Sequence, residues 1–224
     1  MQLDDYTQVR LSEVANALSP SASARDATRW HVTDLIDGRP KGSSVPETGL
    51  MSMGRIWEVA LRPYLSIGFA TSGLVISWSV VLDVDDVIGS LDGMVYRHRD
   101  QSGTVDYTPE AVLEIKFTTT SDIHPIRHPR WLKQVCAYCY MAKTPRVIMP
   151  VLSIRRGTAD LTIHKLSFSV GEMRQNWHEL LANKDNKQDS GGGNTDGAAH
   201  GKAQATQSTQ LTQSTQLIQF TQPT

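Results

Sequence analysis

Cysteine is scarce in this chain, since Cys136 and Cys139 are the only two among 224 residues. A Cys-x-x-Cys pair can be a redox centre or half of a zinc site. No second cysteine pair accompanies it, however, and no βαβ pattern places it at the start of a helix. We therefore expect two reduced core cysteines, because a buried free thiol behaves as a small hydrophobic group.

Long hydrophobic runs are also missing. The longest apolar stretch, residues 74–82, is interrupted by two serines and a tryptophan and is far too short to span a bilayer. The first five residues are acidic and lack the basic, apolar pattern of a signal peptide. These absences predict a soluble, cytoplasmic protein with no membrane partner, located in the host cytoplasm if a phage encodes it.

Neither sign of charge is in excess, since the formal net charge is -1 at pH 7. The overall field therefore does not steer the chain towards polyanions. The hydrophobic share of 39% is a little low for a globular protein, and the deficit lies in the C-terminal tail. Length and composition together allow one substantial folded domain.

Hydrophobic periodicity divides the chain into helices and strands. A short helix at residues 6–18 and an ordered segment at 30–36 precede a loop at 41–48. The main elements then follow in the order helix 54–65, strands 74–84, 87–96 and 111–118, helix 129–142, strands 146–155 and 161–168, and helix 172–183. This order predicts an α/β (α+β) fold in which helices flank a mixed central sheet.

The composition changes abruptly after residue 187 to glycine, glutamine, serine and threonine. Within this tail the hexapeptide TQSTQL at 206–211 is repeated at 212–217. Such a sequence buries too little surface to offset chain entropy, so residues 185–224 are predicted to be disordered. A tag for a partner protein is the alternative. The folded core is expected over residues 51–184, after a helical and loop extension at 1–50.

The most informative motif is Glu114-Ile115-Lys116, inside the apolar run 111–117. Strand geometry of period two puts Glu114 and Lys116 on one face and Ile115 on the other. Buried charges are costly unless they are paired or hold a compensating metal ion. A Glu-x-Lys is usually a solvated edge or a surface ion pair. The apolar neighbours instead indicate a central strand and favour a functional site.

A second carboxylate, Asp92, lies on the preceding strand in the segment GSLDG, whose last glycine permits close backbone approach. Because adjacent strands lie about 4.8 Å apart, Asp92 and Glu114 can share one Mg²⁺ or Mn²⁺ ion. The carbonyl oxygen of Ile115 is a further candidate ligand. Glu58, on the first long helix, can complete the metal shell directly or through water.

Lys116 then has a separate role, because its ammonium can orient or help deprotonate water, or offset charge on a pentavalent phosphate. Gln134 and Tyr138 are four apart on the second helix and so share a face, with Trp131 one turn earlier. A glutamine-aromatic face indicates a lined cleft. A core tyrosine beside a hydrogen-bonded glutamine is the alternative.

Together these motifs resemble the PD-(D/E)XK nuclease superfamily. The resemblance is closest to the branch with RecB-type nuclease domains, CRISPR-associated exonucleases and lambda-type phage exonucleases. It spans about residues 30–170, and no single motif is specific, but all four stand in the family's order. The matching motifs are Gly54-x-x-x-Glu58, Gly89-x-x-Asp92, Glu114-x-Lys116 and Gln134-x-x-x-Tyr138. The resemblance implies a restriction-endonuclease-like core and metal-dependent DNA cleavage.

The resemblance also implies roles by position. Asp92 and Glu114 would be metal ligands, Lys116 the catalytic lysine, and Gln134 with Tyr138 the site-lining pair. Many RecB-like members have a histidine where Glu58 stands, although glutamate occurs in other branches. Members with an iron–sulfur cluster use four cysteines outside the core, so no such cluster is expected here. Toroidal or dimeric assembly occurs among relatives, which leaves oligomerisation open.

Positive charge is concentrated near the second helix, because residues 123–159 contain no acidic side chain. The basic residues there are candidate phosphate contacts, although a solvated face is the usual alternative. They are Arg127, Arg130, Lys133, Lys143, Arg146, Arg155 and Arg156. Residues 97–99 form a second basic cluster. Trp131 or Tyr140 can stack on a base or lie in the core. His124 and His128 can add hydrogen bonds or form a zinc pair, for which no third ligand has suitable spacing.

These expectations combine into a Mg²⁺- or Mn²⁺-dependent deoxyribonuclease, an exonuclease in DNA recombination, repair or phage DNA processing. DNA is the expected partner, and a recombination or replication protein is a further candidate. Because the chain has no sequence-reading motif, backbone-directed cleavage is preferred over site-specific restriction. One rival is a non-catalytic DNA-binding or assembly module on the same fold. The other is a structure-selective endonuclease that acts on branched DNA.

Overall fold

A computed structural model describes residues 29–42, 48–98, 105–155, 158–189 and 212–217. The helix expected at residues 6–18 and most of the loop expected at 41–48 lie outside these ranges. The elements are β1 (Trp30–His31), α1 (Val32–Ile36), α2 (Gly49–Ala70), β2 (Leu74–Val84), β3 (Val87–His98), β4 (Val105–Leu113), β5 (Lys116–Thr118), α3 (Pro129–Ala142), β6 (Arg146–Arg155), β7 (Thr158–Ser167), α4 (Val170–Asp189) and β8 (Thr212–Leu217).

The described strands form one mixed sheet. Its hydrogen-bonded order is β1-β3-β4-β6-β7-β8, with β2 also paired to β3 and β5 also paired to β6. Strands β2, β3 and β4 are an antiparallel meander, whereas β4 and β5 run parallel to β6. A parallel pair needs a crossover connection, and α3 supplies it between β5 and β6. The predicted mixed α/β fold with flanking helices is confirmed.

Different helices cover the two faces of the sheet. Alternate residues of a strand point to opposite faces, and on β6 Val147, Met149 and Val151 are fully buried in the core formed with α1, α3 and α4. Ile148 points the other way and packs into the cluster that contains Leu65 of α2. Strands β4, β5 and β6 therefore lie between α2 and α3, the two helices that carry predicted site residues.

Helix α2 is longer than its sequence pattern predicted. At its start the Thr48 side chain accepts a hydrogen bond from the backbone N–H of Met51 at 3.3 Å, which satisfies one of the free donors of the first turn. The predicted helix ends at residue 65, and Gly68, which weakens a helical pattern, lies just beyond that end. Phe69 nevertheless packs against the core beneath the last turn. No helix in the described part of the chain is long and apolar enough to cross a membrane.

Both cysteines lie in α3, and they are free and buried. Their thiols donate to backbone carbonyl oxygens, Cys136 to Glu172 at 3.7 Å and Cys139 to Arg146 at 3.8 Å. Burial raises the pKa of the Cys136 thiol to about 12 and raises that of Cys139 as well. Neither thiol is therefore a reactive thiolate at neutral pH, and the prediction of reduced core cysteines is confirmed.

The C-terminal part departs from its predicted structure in two places. Helix α4 continues to Asp189, beyond the expected end at 183. Strand β8 pairs antiparallel with β7 where no regular structure was expected. An edge strand such as β7 offers a row of free backbone groups, and a polar segment can pair with it through the main chain alone. Residues 190–211 and 218–224 lie outside the described ranges, so disorder there stays a prediction.

Candidate active site

A local break between β2 and β3 positions Asp92. The two strands pair regularly on either side of Ser79 and Asp92, but these two residues form no backbone pair. Ser79 has a φ of 56°, in the left-handed region that non-glycine residues adopt at a cost. The Asp92 carboxylate accepts a hydrogen bond from the backbone N–H of Ile115 at 2.6 Å. Asp92 thereby ties β3 to the segment that follows β4.

The residue after Asp92 must be small. A Cβ at Gly93 would lie 3.1 Å from both the Ile76 side chain and the backbone oxygen of Ser77. It would also lie 3.2 Å from the Leu113 side chain. The prediction that this glycine permits close backbone approach is confirmed.

Gly93→Ala is expected to lower the free energy of unfolding by about 1–3 kcal/mol, because a backbone oxygen cannot rotate away from the new methyl group. Urea denaturation measures this change. Gly68→Ala is the matched control, since a Cβ there meets nothing within 4 Å. That change should instead stabilise the helix by about 0.5–1 kcal/mol. An unchanged urea midpoint for Gly93→Ala would mean that β2 moves away from residue 93 and makes room for the methyl group.

The Glu-x-Lys motif lies at an interruption rather than on one continuous strand. Strand β4 ends at Leu113 and β5 begins at Lys116, so the single strand predicted over 111–118 is wrong in this detail. The N–H of Glu114 still donates to the carbonyl of Ile148 at 3.2 Å, whereas the N–H of Ile115 turns to the Asp92 carboxylate. A side chain of the neighbouring strand thus satisfies the backbone donor that leaves the ladder.

Four of the predicted site residues are joined by hydrogen bonds. The ammonium of Lys116 donates to Glu114 Oε1 and to Gln134 Oε1, each at 2.8 Å. The amide nitrogen of Gln134 in turn donates to the Tyr138 hydroxyl at 2.9 Å. Tyr138 is only 2% exposed, so it is a core tyrosine that also orients the glutamine. The chain from Tyr138 through Gln134 fixes the position of the Lys116 ammonium.

The core of the site places two carboxylates, Asp92 and Glu114, beside the single ammonium of Lys116. Burial raises the pKa of Asp92, and the neighbouring carboxylates of Glu114 and Glu58 raise it further, against the opposing effect of Lys116. Burial also raises the pKa of Glu114, although Lys116 lowers it in part. Within the part of the chain that the structure describes, the second oxygen of Glu114, Oε2, is buried and has no hydrogen-bond partner. Such a site gains from a further positive charge.

Glu58 lies beside this cluster but is held by another partner. Its carboxylate forms an ion pair with Arg62 at 2.5 Å, and Arg62 also donates to Ser79 Oγ at 3.0 Å. The same guanidinium lies 5.3 Å from the centre of the Trp78 ring. Over the described ranges, no group of three or more His, Cys, Asp or Glu side chains is arranged to hold a metal ion. A metal shell here would therefore need Asp92, Glu114, backbone oxygen and water.

The carboxylates of Glu58, Asp92 and Glu114 and the side chain of Lys116 line one cavity of about 320 Å³. Five predicted residues line it, together with six that the sequence analysis did not assign to the site. The predicted ones are Glu58, Asp92, Glu114, Ile115 and Lys116, and the additional ones are Met51, Gly54, Arg55, Trp57, Phe117 and Leu152. Arg55, Glu58 and Arg62 are spaced three and four apart and so share one helix face, and this charged stripe on α2 is the signal that could have found Arg55.

The candidate DNA contacts on α3 are largely occupied by protein partners. Arg130 binds the carboxylate of Asp37 through two hydrogen bonds, at 2.6 and 2.7 Å. Trp131 is half-buried, with its ring stacked on His128 at a centroid distance of 3.8 Å. Lys133 is exposed. The structure thus leaves Lys133 open to solvent but assigns Arg130 and Trp131 contacts within the fold.

Some of the other candidate DNA contacts are also bound to partners within the fold. Arg97 and Arg146 each bind the carboxylate of Glu110 at 2.7 Å, and Tyr140 stacks on Trp177 in the core at a centroid distance of 5.0 Å. Arg97 and Arg146 are nevertheless exposed, as are Arg127, Lys143 and Arg155, and Arg156 lies outside the described residues.

Comparison with known proteins gives little for this chain. No protein-family model matches it, and no curated protein matches it. A crystal structure of SSO0001 covers 81% of this chain and 87% of its own, with 13% sequence identity and a TM-score of 0.48. A likeness this low carries no argument about family or activity.

Proposed function

We propose that this chain is a Mg²⁺- or Mn²⁺-dependent deoxyribonuclease of the PD-(D/E)XK type, an exonuclease in DNA recombination, repair or phage DNA processing. The buried cluster of Asp92, Glu114 and Lys116 carries the proposal. Two carboxylates of raised pKa share a cavity with one ammonium, and Glu114 Oε2 has no partner among the described residues. A hard cation with oxygen ligands would offset the remaining negative charge.

The proposed chemistry is in-line hydrolysis of a phosphodiester. Asp92, Glu114 and the carbonyl oxygen of Ile115 would hold the ion, which supplies Lewis-acid polarisation and a lowered pKa for bound water. The oxygen of a water molecule adds to phosphorus, the bond from phosphorus to the leaving sugar oxygen breaks, and that oxygen takes up a proton. Lys116 stabilises the charge that develops on the phosphoryl oxygens. Gln134 and Tyr138 keep its ammonium in place.

One observation favours a second candidate, a non-catalytic DNA-binding or assembly module on the same fold. Arg62 neutralises Glu58, so the cluster offers a cation two carboxylates, Asp92 and Glu114, rather than three. A site with two carboxylates binds a divalent cation less tightly than a site with three. A module that only binds DNA does not cleave it and therefore needs no catalytic cation.

Cleavage and binding assays separate the two candidates. Purified protein is incubated with end-labelled single-stranded, double-stranded, circular and four-way-junction DNA in Mg²⁺, Mn²⁺, Ca²⁺ or EDTA. The proposal predicts shortening of linear strands from their ends in Mg²⁺ or Mn²⁺ and none in EDTA. Binding that persists in EDTA, without cleavage in either metal, would favour the non-catalytic module. Selective cutting of the junction would instead indicate the structure-selective endonuclease.

Glu58→Gln tests how the third carboxylate contributes. Glu58 raises the pKa of both Asp92 and Glu114 and is therefore close enough to strengthen cation binding, yet its oxygen is engaged by Arg62. We expect Mg²⁺ affinity to fall about tenfold, as for a group that acts beyond the direct ligands. Calorimetric titration measures this, with the exposed Glu179→Gln as control. A complete loss of Mg²⁺ binding would make Glu58 a direct ligand.

A further inference from the structure

A second polar site lies between β7 and the segment that leads into α3. His164 on β7 is 2% exposed. Its ring meets that of His124 edge-on, with centroids 5.4 Å apart and planes at 72°. Across the described residues, His124 Nδ1 and His164 Nε2 are both buried without a hydrogen-bond partner. The alternative pairing of His124 with His128 is not formed, since His128 stacks on Trp131.

The tautomer of His164 is set by its surroundings. The backbone of Ile123 lies beside the ring and favours its protonated form, and Nε2 is the ring nitrogen that is buried without a partner among the described residues. A histidine that donates one N–H to a backbone carbonyl presents a lone pair on its other nitrogen, the usual arrangement of a metal ligand. Burial and the proximity of His124 lower the pKa of His164. Neutral imidazole is the form that binds metals.

A third buried polar atom lies on the same face. Thr162 precedes His164 by two residues on β7, so both side chains point to one side of the sheet. Its hydroxyl oxygen is buried and has no hydrogen-bond partner within the described ranges. Buried polar groups are almost always satisfied, so these three atoms are candidates for a ligand that the described protein groups do not supply.

We propose that His124 and His164 bind one transition-metal ion of the Zn²⁺ type, and that Thr162 hydrogen-bonds a water molecule on that ion. Two imidazoles at about 2.0–2.1 Å from a tetrahedral zinc have ring centroids roughly 5 Å apart, close to the observed 5.4 Å. Imidazole nitrogen favours zinc, copper or nickel over magnesium. The site is thus chemically distinct from the Asp92 and Glu114 cluster and independent of the proposed nuclease activity.

The position of this site gives the ion a structural effect. His124 belongs to the connection between β5, which carries Lys116, and α3, which carries Gln134. An ion shared with His164 joins this connection to β7 and so fixes the start of α3. Binding to the folded state alone raises stability by mass action.

Zinc titration of the full chain tests the proposal. Asp92→Asn serves as the background, because it removes one carboxylate that can also bind zinc. In that background, Zn²⁺ should raise the midpoint of thermal unfolding, and Co²⁺ should give the visible absorption of a four-coordinate site. His124→Gln and His164→Gln should each lower the affinity for Zn²⁺ at least about tenfold. His178→Gln, an exposed histidine on α4, should leave it unchanged.

Two results would overturn the proposal: no Zn²⁺-dependent shift in the Asp92→Asn protein, or an equal affinity in the His124→Gln variant. Either would mean that the pocket holds water alone. If His164→Gln does not fold, His124→Gln decides, since His124 is only half-buried and lies outside the sheet.

Discussion

Replacing Lys116 by methionine is expected to lower the rate of DNA cleavage by about 10²–10³-fold, the usual cost of removing one group that stabilises transition-state charge. Methionine keeps an unbranched side chain one atom shorter than that of lysine and carries no charge. The loss should appear in kcat, with little change in DNA affinity, because the Lys116 side chain is only 14% exposed and its ammonium is held by Glu114 and Gln134. Single-turnover cleavage with saturating enzyme measures the chemical step directly.

Two matched variants control this experiment. Lys165→Met removes an exposed lysine from β7 and should cleave at the parent rate. Lys116→Arg keeps the charge but not the shape, since a planar guanidinium cannot reproduce two 2.8 Å contacts made by one nitrogen. It should remain strongly impaired. Cleavage by Lys116→Met at the parent rate would remove this lysine from the proposed mechanism.

The same variant has a stability signature that does not depend on activity. Lys116 lowers the pKa of Glu114, which burial raises, so its removal raises that pKa further. The folded state then holds the Glu114 proton more tightly than the unfolded chain does. Stability of Lys116→Met should therefore fall as pH rises above the unfolded value of about 4.3. Urea denaturation from pH 4 to pH 8 checks this independently of DNA.

Much of the fold was predictable because its determinants are local in the sequence. The period-two pattern of β2 matches alternating exposure along the whole strand, and Pro129 lies at the first position of α3 as predicted. Elements whose ends depend on tertiary contacts were less accurate. The last turn of α2 follows from packing of Phe69 against the sheet, which no local pattern in the sequence reports.

In the candidate site, too, the features set by local sequence were predicted and those set by distant residues were not. Spacing predicted two pairs, Glu114 with Lys116 and Gln134 with Tyr138, and the family resemblance implied that they share one site. One chain of hydrogen bonds joins the four residues. The interruption at Ile115 was not predicted, because it depends on a hydrogen bond to Asp92, 23 positions away in the sequence.

Arg130 shows why charge alone is a weak guide to nucleic-acid contact. Its acidic partner Asp37 lies 93 positions away. A segment without acidic residues in sequence can therefore still be neutralised in space. Lys133 keeps its exposure on the same helix and is the better candidate for a phosphate contact.

Asp92→Asn is expected to abolish cleavage and yet to stabilise the protein in EDTA at pH 8. Burial and the nearby carboxylates raise the pKa of Asp92 well above its ordinary value. As pH rises, Asp92 loses its proton in the unfolded chain at a lower pH than in the folded protein. The stability of the parent protein therefore falls between the pKa of the unfolded chain and the pKa of the folded protein. Asparagine carries no charge to bury, and its side-chain oxygen can still accept the N–H of Ile115. We expect a gain of about 1–2 kcal/mol, typical of relieving a strained functional site.

The dependence of this gain on pH and on metal distinguishes a metal ligand from a structural aspartate. Near pH 4 both chains are largely uncharged at this position, so the gain should vanish. Mg²⁺ should raise the unfolding midpoint of the parent but not that of the variant, because only the parent keeps both carboxylates. Asp160→Asn, an exposed position on β7, should behave as the parent in every condition. A variant that is less stable than the parent in EDTA would instead make Asp92 a structural acceptor for Ile115. In that case the buried carboxylate stabilises the β3–β4 junction, and no cation is needed to explain it.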